Sequence, residues 1–408
     1  MPVKEYKTLW NKDFICICLI QFLFSLSNNL IGSIVTSYAE ILHSTAAQAA
    51  LLAGIFYAVS FVLRSVVGPV QSSVDEKKIL IGAYTVGLVA NLGYAIAPSY
   101  GVFVCFRLLQ GVQMAFTGSV NLSICSSSVP RDKVTKGIGY FGLITSLAGM
   151  AGPIIGINFL NILTSSMGPE KAYRLVFFGA AMFMLASLLI SLLISPRGTP
   201  VKDANSGVWY KNILDVHAIF PSVILVFQIM SYSLYISYLM PFANEVGIAN
   251  ISPFYIVSAA VMLCTKPFFN KLTERVGLFR MMYMCLAVFT VSFVVLATVR
   301  NMTGVIIAAI LGSATNSAAY GGIQTLCVQS VPSSRRAVAS NTCYLGMDLG
   351  FFLGPIIFGG WIYPMVRSYA GMYLAVSVAV IICMVLMRIY QPIFTKRRAE
   401  IEAQEQHI

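Results

Sequence analysis

Apolar and polar residues along this chain fall into long blocks, not the short alternations of a water-soluble fold. Twelve apolar stretches of about 20 residues recur, at roughly 14–38, 49–70, 79–98, 101–125, 137–162, 172–195, 216–243, 251–270, 277–299, 303–325, 338–364 and 367–391. A helix of about that length crosses a hydrocarbon core of ~30 Å. The longest polar interruption, 196–214, is rich in Pro, Gly and charge and reads as a linker. The pattern predicts an all-α polytopic membrane protein with twelve transmembrane helices. They form two six-helix bundles, 1–195 and 215–392, and a short charged tail at 393–408 is expected to fray.

The bundles repeat one another. Gly152-Pro153-Ile154-Ile155 returns 202 residues later as Gly354-Pro355-Ile356-Ile357, Val129-Pro130 as Val331-Pro332, Lys133 as Arg335 and Arg64 as Lys266. Two pseudo-symmetric, like-oriented halves are the layout of a secondary transporter with a substrate path between them.

Composition narrows the class further. Of 408 residues 58% are hydrophobic and 10% charged, too few charges to cover a soluble protein of this size. The net charge of +12 is one-sided: with the N-terminus inside, 22 of the 27 Lys and Arg fall on the same face as the termini. That bias places both termini in the cytoplasm of a multi-pass cell-membrane protein, and the charge needs no nucleic-acid partner. Nine cysteines, an odd number without metal-ligand spacing, read as small buried residues. Three histidines, no phosphate-binding loop and no nucleophile–base motif argue against an enzyme or an ATP-driven pump, and no cofactor is expected.

Polar residues inside the spans carry the functional signal, because each costs free energy in hydrocarbon unless it meets a partner or a cavity. The first span has Gln21, Ser25, Asn28, Gly32 and Thr36 at helical spacing, with Asn29 alongside. The fourth has Arg107, Gln110, Gly111 and Asn121; the seventh Gln228, Ser231, Tyr232 and Tyr235; the tenth Ser313, Asn316, Tyr320 and Gln324. These spans open the four three-helix repeats, so a shared aqueous cavity is expected, with packing by small and amide residues as the alternative. Candidate substrate contacts are Asn28, Asn29, Gln110, Tyr232, Tyr235, Asn316, Tyr320 and Tyr344.

Arg107-Leu-Leu-Gln110-Gly111 and the spacing of Gly139, Ala148, Gly152-Pro153 and Gly156 give the chain a family likeness: it resembles the major facilitator superfamily over essentially its whole length. The resemblance implies that Arg107 takes part in proton transfer. It also implies that Gly152, Pro153 and Gly156, with Gly354 and Pro355 in the second half, form a conformational motif found in proton-coupled antiporters. Proline bends a helix there and glycine allows close contact. The family's loop after the second helix is degraded, with Ser72 and Ser73 at the usual acid and base positions, which implies weaker closure. Its counterpart after the eighth is better kept, with Lys266, Glu274, Arg275 and Gly277.

Asp348 is the acid that lies well inside a span, and its repeat equivalent is Ser146. A carboxyl group removed from water is suited to loading and releasing protons, so Asp348 is the first candidate for proton coupling and Arg107 the second. The alternative is a fixed ion pair or hydrogen bond that holds the bundles. The reading is a proton-driven exporter of small, partly hydrophobic organic molecules, acting as a monomer in the bilayer. A proton symporter importing a sugar or organic acid is the alternative, and a non-transporting membrane sensor a more distant one.

Overall fold

The computed structural model describes residues 8–130, 133–195, 214–332 and 335–406. The linker predicted at 196–214 falls outside them except for Leu214, as do the side chains of Ser72, Ser73 and Lys266. Helices occupy all twelve predicted segments. The first half contains α1 (Lys12–Ile41), α2 (Ala46–Ser73), α3 (Glu76–Ile96), α4 (Tyr100–Ser127), α5 (Val134–Met167) and α6 (Pro169–Leu193). The second contains α7 (Val216–Ser237), α8 (Leu239–Glu245), α9 (Ser252–Val276), α10 (Leu278–Thr298), α11 (Met302–Gln329) and α12 (Arg336–Gly354). A π-helical segment (Pro355–Ile362), α13 (Tyr363–Val366) and α14 (Tyr369–Gln406) complete it. Among the described residues ten helices are long and apolar enough to cross a membrane. The 28-residue α4 is not one of them, because Arg107, Gln110, Gln113 and Asn121 dilute its apolar content; α9 offers only the shorter apolar piece Ser252–Thr265.

Local chemistry accounts for the departures from twelve plain helices. The seventh span breaks after Ser237 because Pro241 has no N–H for the Ser237 carbonyl, and the chain restarts as α8. Pro355 likewise leaves the Phe351 carbonyl without its helical donor, and from there the eleventh span takes the wider π pairing. In α5 the equivalent Pro153 is accommodated within one continuous 34-residue helix, so the two copies of the Gly-Pro motif differ in backbone form. The last helix runs through Pro392 to Gln406, so residues expected as a frayed tail extend α14 instead. Gly168 and Gly277, with φ of 81° and 86°, make the tight α5–α6 and α9–α10 junctions that a side chain would strain.

The chain clusters into two units, Met1–Thr45 with Ile55–Ser206 and Ala46–Gly54 with Gly207–Ile408. Inside the first, α1 packs on α5, α6 and α4, and α3 on α4 and α6. Inside the second, α7 packs on α12, α14 and α11, and α10 on α11 and α14. These are the same pairings, shifted by six spans. The repeat extends to the acids that open the first helix of each unit. Asp13 Oδ1 accepts from the Ser195 amide at 3.1 Å and its hydroxyl at 3.3 Å. Its equivalent Asp215 caps α7 through His217 N at 3.0 Å and holds Arg335 Nε at 2.5 Å.

Candidate functional site

Each unit places polar side chains on its first and fourth spans, α1 and α4 in one and α7 and α11 in the other, and bonds them across. In the first unit α4 supplies Arg107, about 10 Å along the helix from Tyr100 at 1.5 Å per residue. Its guanidinium is 1% exposed and donates to Gln110 Oε1 at 2.5 Å, and its carbon lies 4.3 Å from the centre of the Phe56 ring. Tyr94 OH donates to the same Gln110 oxygen at 2.6 Å, and Gln110 Nε2 donates to Asn28 Oδ1 at 2.7 Å. The amide thus uses both ends: its oxygen faces the cation and the phenol, its nitrogen reaches α1. Stacking of Tyr94 on Phe103, centroids 4.5 Å apart, fixes the phenol. About three turns beyond Gln110 along α4, Asn121 donates to Gln21 Oε1 at 2.7 Å and to Tyr84 OH at 2.9 Å.

Asn29 has a different role from Asn28. Its amide bonds back to Ser25 O at 2.8 Å, and a Cβ on Gly152 would stand 3.0 Å from Asn29 Cβ, so it faces α5. A Cβ on Gly152 would also lie 2.7 Å from Leu26 O and 2.8 Å from Leu30 N, and one on Gly156 2.9 Å from Leu30 Cγ. The conformational motif of the fifth span is therefore where the α1 and α5 backbones meet.

In the second unit Asp348 sits about 18 Å along α12 by the same rise and is fully buried at 0% exposure. Neighbouring helices converge on its stretch of α12. From α11, Tyr320 OH reaches Met347 Sδ at 3.3 Å, and Gln324 Nε2 donates to Tyr320 OH at 2.6 Å. From α7, the half-buried Tyr232 meets the Phe351 ring at 6.4 Å. Gln228 Nε2 donates to Asn316 Oδ1 at 2.5 Å, joining α7 to α11, while Gln228 Oε1 is buried with no hydrogen-bond partner among the described residues. Tyr344, half-buried, lies one turn before Asp348. Ser146, the equivalent in the first unit, only bonds back to Gly142 O at 2.9 Å.

Tyr235 does not belong with this group. It is 4% exposed, its hydroxyl bonds Ser292 Oγ at 2.7 Å, and its ring packs with Phe254, Phe289, Phe293 and Tyr373. The polar stripe on α7 thus holds a core tyrosine whose hydroxyl is satisfied. Glu274 and Arg275 are exposed on the last turn of α9. Sequence reasoning missed Tyr94 and Phe56, the phenol and ring that complete the Arg107 setting, since each lies in a span without a polar stripe. Gly354 was named with Pro355, but the row it ends, Gly346, Gly350 and Gly354, was not, although its spacing is readable. Cβ atoms there would come within 2.8, 2.8 and 2.7 Å of the carbonyl oxygens of Ser222, Val226 and Met230 on α7. Small residues four apart allow helices to touch backbone to backbone.

A family model described as Major Facilitator Superfamily matches residues 17–264 and 222–407. The chain belongs to the Major Facilitator Superfamily. It is accordingly a multi-pass membrane transporter and not an enzyme. Among curated relatives of this superfamily member, citrate exporter 1 of Aspergillus niger is 26% identical over 186 residues, 45% of this chain and 34% of that protein. The chain thus matches about a third of the exporter's length. Multidrug resistance protein MdtG of Escherichia coli O9:H4 (strain HS) is 22% identical over 369 residues, 85% of this chain and 87% of that protein. A solved bacterial homolog of the human lysosomal transporter Spinster, inward-facing and unoccupied, has a TM-score of 0.76. It shares 17% identity over 96% of this chain and 99% of its own, a likeness of fold.

Proposed function

We propose that this superfamily transporter is a proton-coupled exporter of small, partly hydrophobic organic molecules, working by alternating access in the cell membrane. The observation that carries the reading is the fully buried Asp348 at mid-helix in α12, where the first unit has only Ser146. An acid deep inside a membrane span is rare and costly to keep there, and a carboxyl group so placed is suited to exchanging protons with a transport cycle. Tyr232, Asn316, Tyr320, Tyr344 and the open acceptor of Gln228 are the contacts we assign to substrate in the second unit, with Asn28 and Gln110 in the first. The Arg107 guanidinium acts by fixing the field on its neighbours or by attracting a substrate anion. Export is favoured by the Gly-Pro motif of α5 and by likeness to an exporter and a multidrug resistance protein. Both termini lie in the cytoplasm, and a monomer is the working unit.

The test is solute-triggered proton movement in proteoliposomes carrying an internal pH dye, with citrate as the anionic probe and ethidium as the cationic one. Protons moving against the solute support export by exchange. Protons moving with it would make the protein a symporter.

A further inference from the structure

We propose that the packed pair α10 and α14 carries a binding site for an anionic phospholipid, whose phosphate sits between Arg280 and Arg388. The two helices are the ninth and twelfth spans, so they run antiparallel, and they meet edge to face through Phe279 and Phe394 with ring centroids 5.6 Å apart. One turn further along α10, Tyr283 stands level with Tyr390, one turn back on α14. Arg388 is half a turn beyond Tyr390, so the two arginines bracket the level of Tyr283.

Each guanidinium ends an outward-facing apolar stripe. On α10 the exposed positions run Arg280, Met284 and Val291; on α14 they run Val378, Ile381, Val385 and Arg388. Such stripes face acyl chains, and a cation within them calls for an anion at the headgroup level. The helices themselves supply none: α10 has no Asp or Glu, and the first acid of α14 is Glu400, which binds Arg397. Among the described residues Arg388 reaches Gln391 Oε1 at 3.5 Å, and neither arginine pairs with a carboxylate. The Tyr283 hydroxyl is buried without a hydrogen-bond partner among the described residues and lies within electrostatic reach of Arg388. A phosphate oxygen drawn between the guanidiniums supplies the acceptor that this hydroxyl lacks, and the planar forks suit phosphate. Lys396, exposed two turns past Arg388, continues the positive strip into the interface. Charge complementarity and the adjoining apolar stripes together select an amphiphile over a soluble anion. On the topology proposed above the lipid belongs to the inner leaflet; its binding does not depend on the transport reading.

The test titrates delipidated, full-length protein in detergent with dioleoylphosphatidylglycerol or dioleoylphosphatidylcholine and counts bound lipid by native mass spectrometry. The anionic lipid is expected to bind about tenfold tighter than the zwitterionic one, and Arg280→Gln with Arg388→Gln should remove that preference. Tyr283→Phe, which keeps the ring, should weaken the anionic lipid about threefold and keeps the test open if the double variant folds poorly. Lys12→Gln with Lys78→Gln removes the same charge from exposed positions of the first unit and should retain the parental preference. Parental preference in the Arg280 and Arg388 double variant overturns the proposal, and so does an equal loss in the Lys12 and Lys78 variant, which would mark bulk charge attraction. Displacement of the anionic lipid by inorganic phosphate would assign the arginines to a free anion and overturn the choice of lipid.

Discussion

Arg107 shows what one buried charge requires. Its guanidinium is 1% exposed, and its surroundings offer the Gln110 amide oxygen and the Phe56 ring face. A cation over an aromatic face gains about 2 kcal/mol when desolvated, and a hydrogen bond to a charged group contributes roughly 1.5–3 kcal/mol. Gln110→Leu removes the acceptor of Arg107, takes from Asn28 its donor and leaves Tyr94 OH only the Phe106 carbonyl at 3.3 Å. It is expected to destabilise by about 2–3 kcal/mol, read as a lower unfolding temperature in detergent. Tyr94→Phe keeps the stack on Phe103 and loses the hydroxyl that bonds Gln110 Oε1 at 2.6 Å and reaches Phe106 O at 3.3 Å, so it should cost about 1 kcal/mol. Equal unfolding temperatures for Gln110→Leu and the parent would show that the amide does not hold the cation. The sequence revealed Arg107, Gln110 and Asn28 as polar residues in hydrocarbon. It did not reveal which bond to which, because helical spacing reports a face and not the neighbour across it.

At the scale of elements, two helix contacts are set by glycine. On α5, Gly152 and Gly156 meet α1; on α12, Gly346, Gly350 and Gly354 meet α7. Where an added Cβ would strike backbone atoms, relief requires moving a helix, and overpacking of this kind costs typically 1–3 kcal/mol. Gly152→Ala and Gly350→Ala are each expected to lower thermal stability by that order. Gly139→Ala, whose Cβ would meet nothing within 4 Å, should be neutral or slightly stabilising through its better helix propensity. If all three variants melt alike, the contacts are looser than described. The twelve helical segments were legible because apolar runs of membrane-spanning length have few other uses. The π segment after Pro355, the break before α8 and the continuation of α14 through Pro392 were not. Proline announces a missing donor, but whether the helix breaks, widens or runs on depends on what packs beside it.

At the scale of the whole molecule, the repeat gives each unit the same helix pairings, and chemistry then makes the units unequal. The first holds a buried arginine tied to amides and a phenol; the second holds a buried aspartate where its partner has Ser146. The proposed topology, an even number of spans with the lysine and arginine bias facing inward, puts both termini in the cytoplasm. Epitope tags at the two ends of the chain should therefore both be protected in intact cells and both exposed on permeabilisation; opposite behaviour would remove a span from the account. Coupling of protons to transport by Asp348 is tested by comparing the parent with Asp348→Asn. Both proteins are reconstituted, matched for unfolding temperature and monodispersity, and assayed for proton movement triggered by citrate or ethidium. Solute-triggered proton flux is expected in the parent and is expected to be lost in a folded Asp348→Asn protein. Coupled flux at the parental rate in that variant would contradict it.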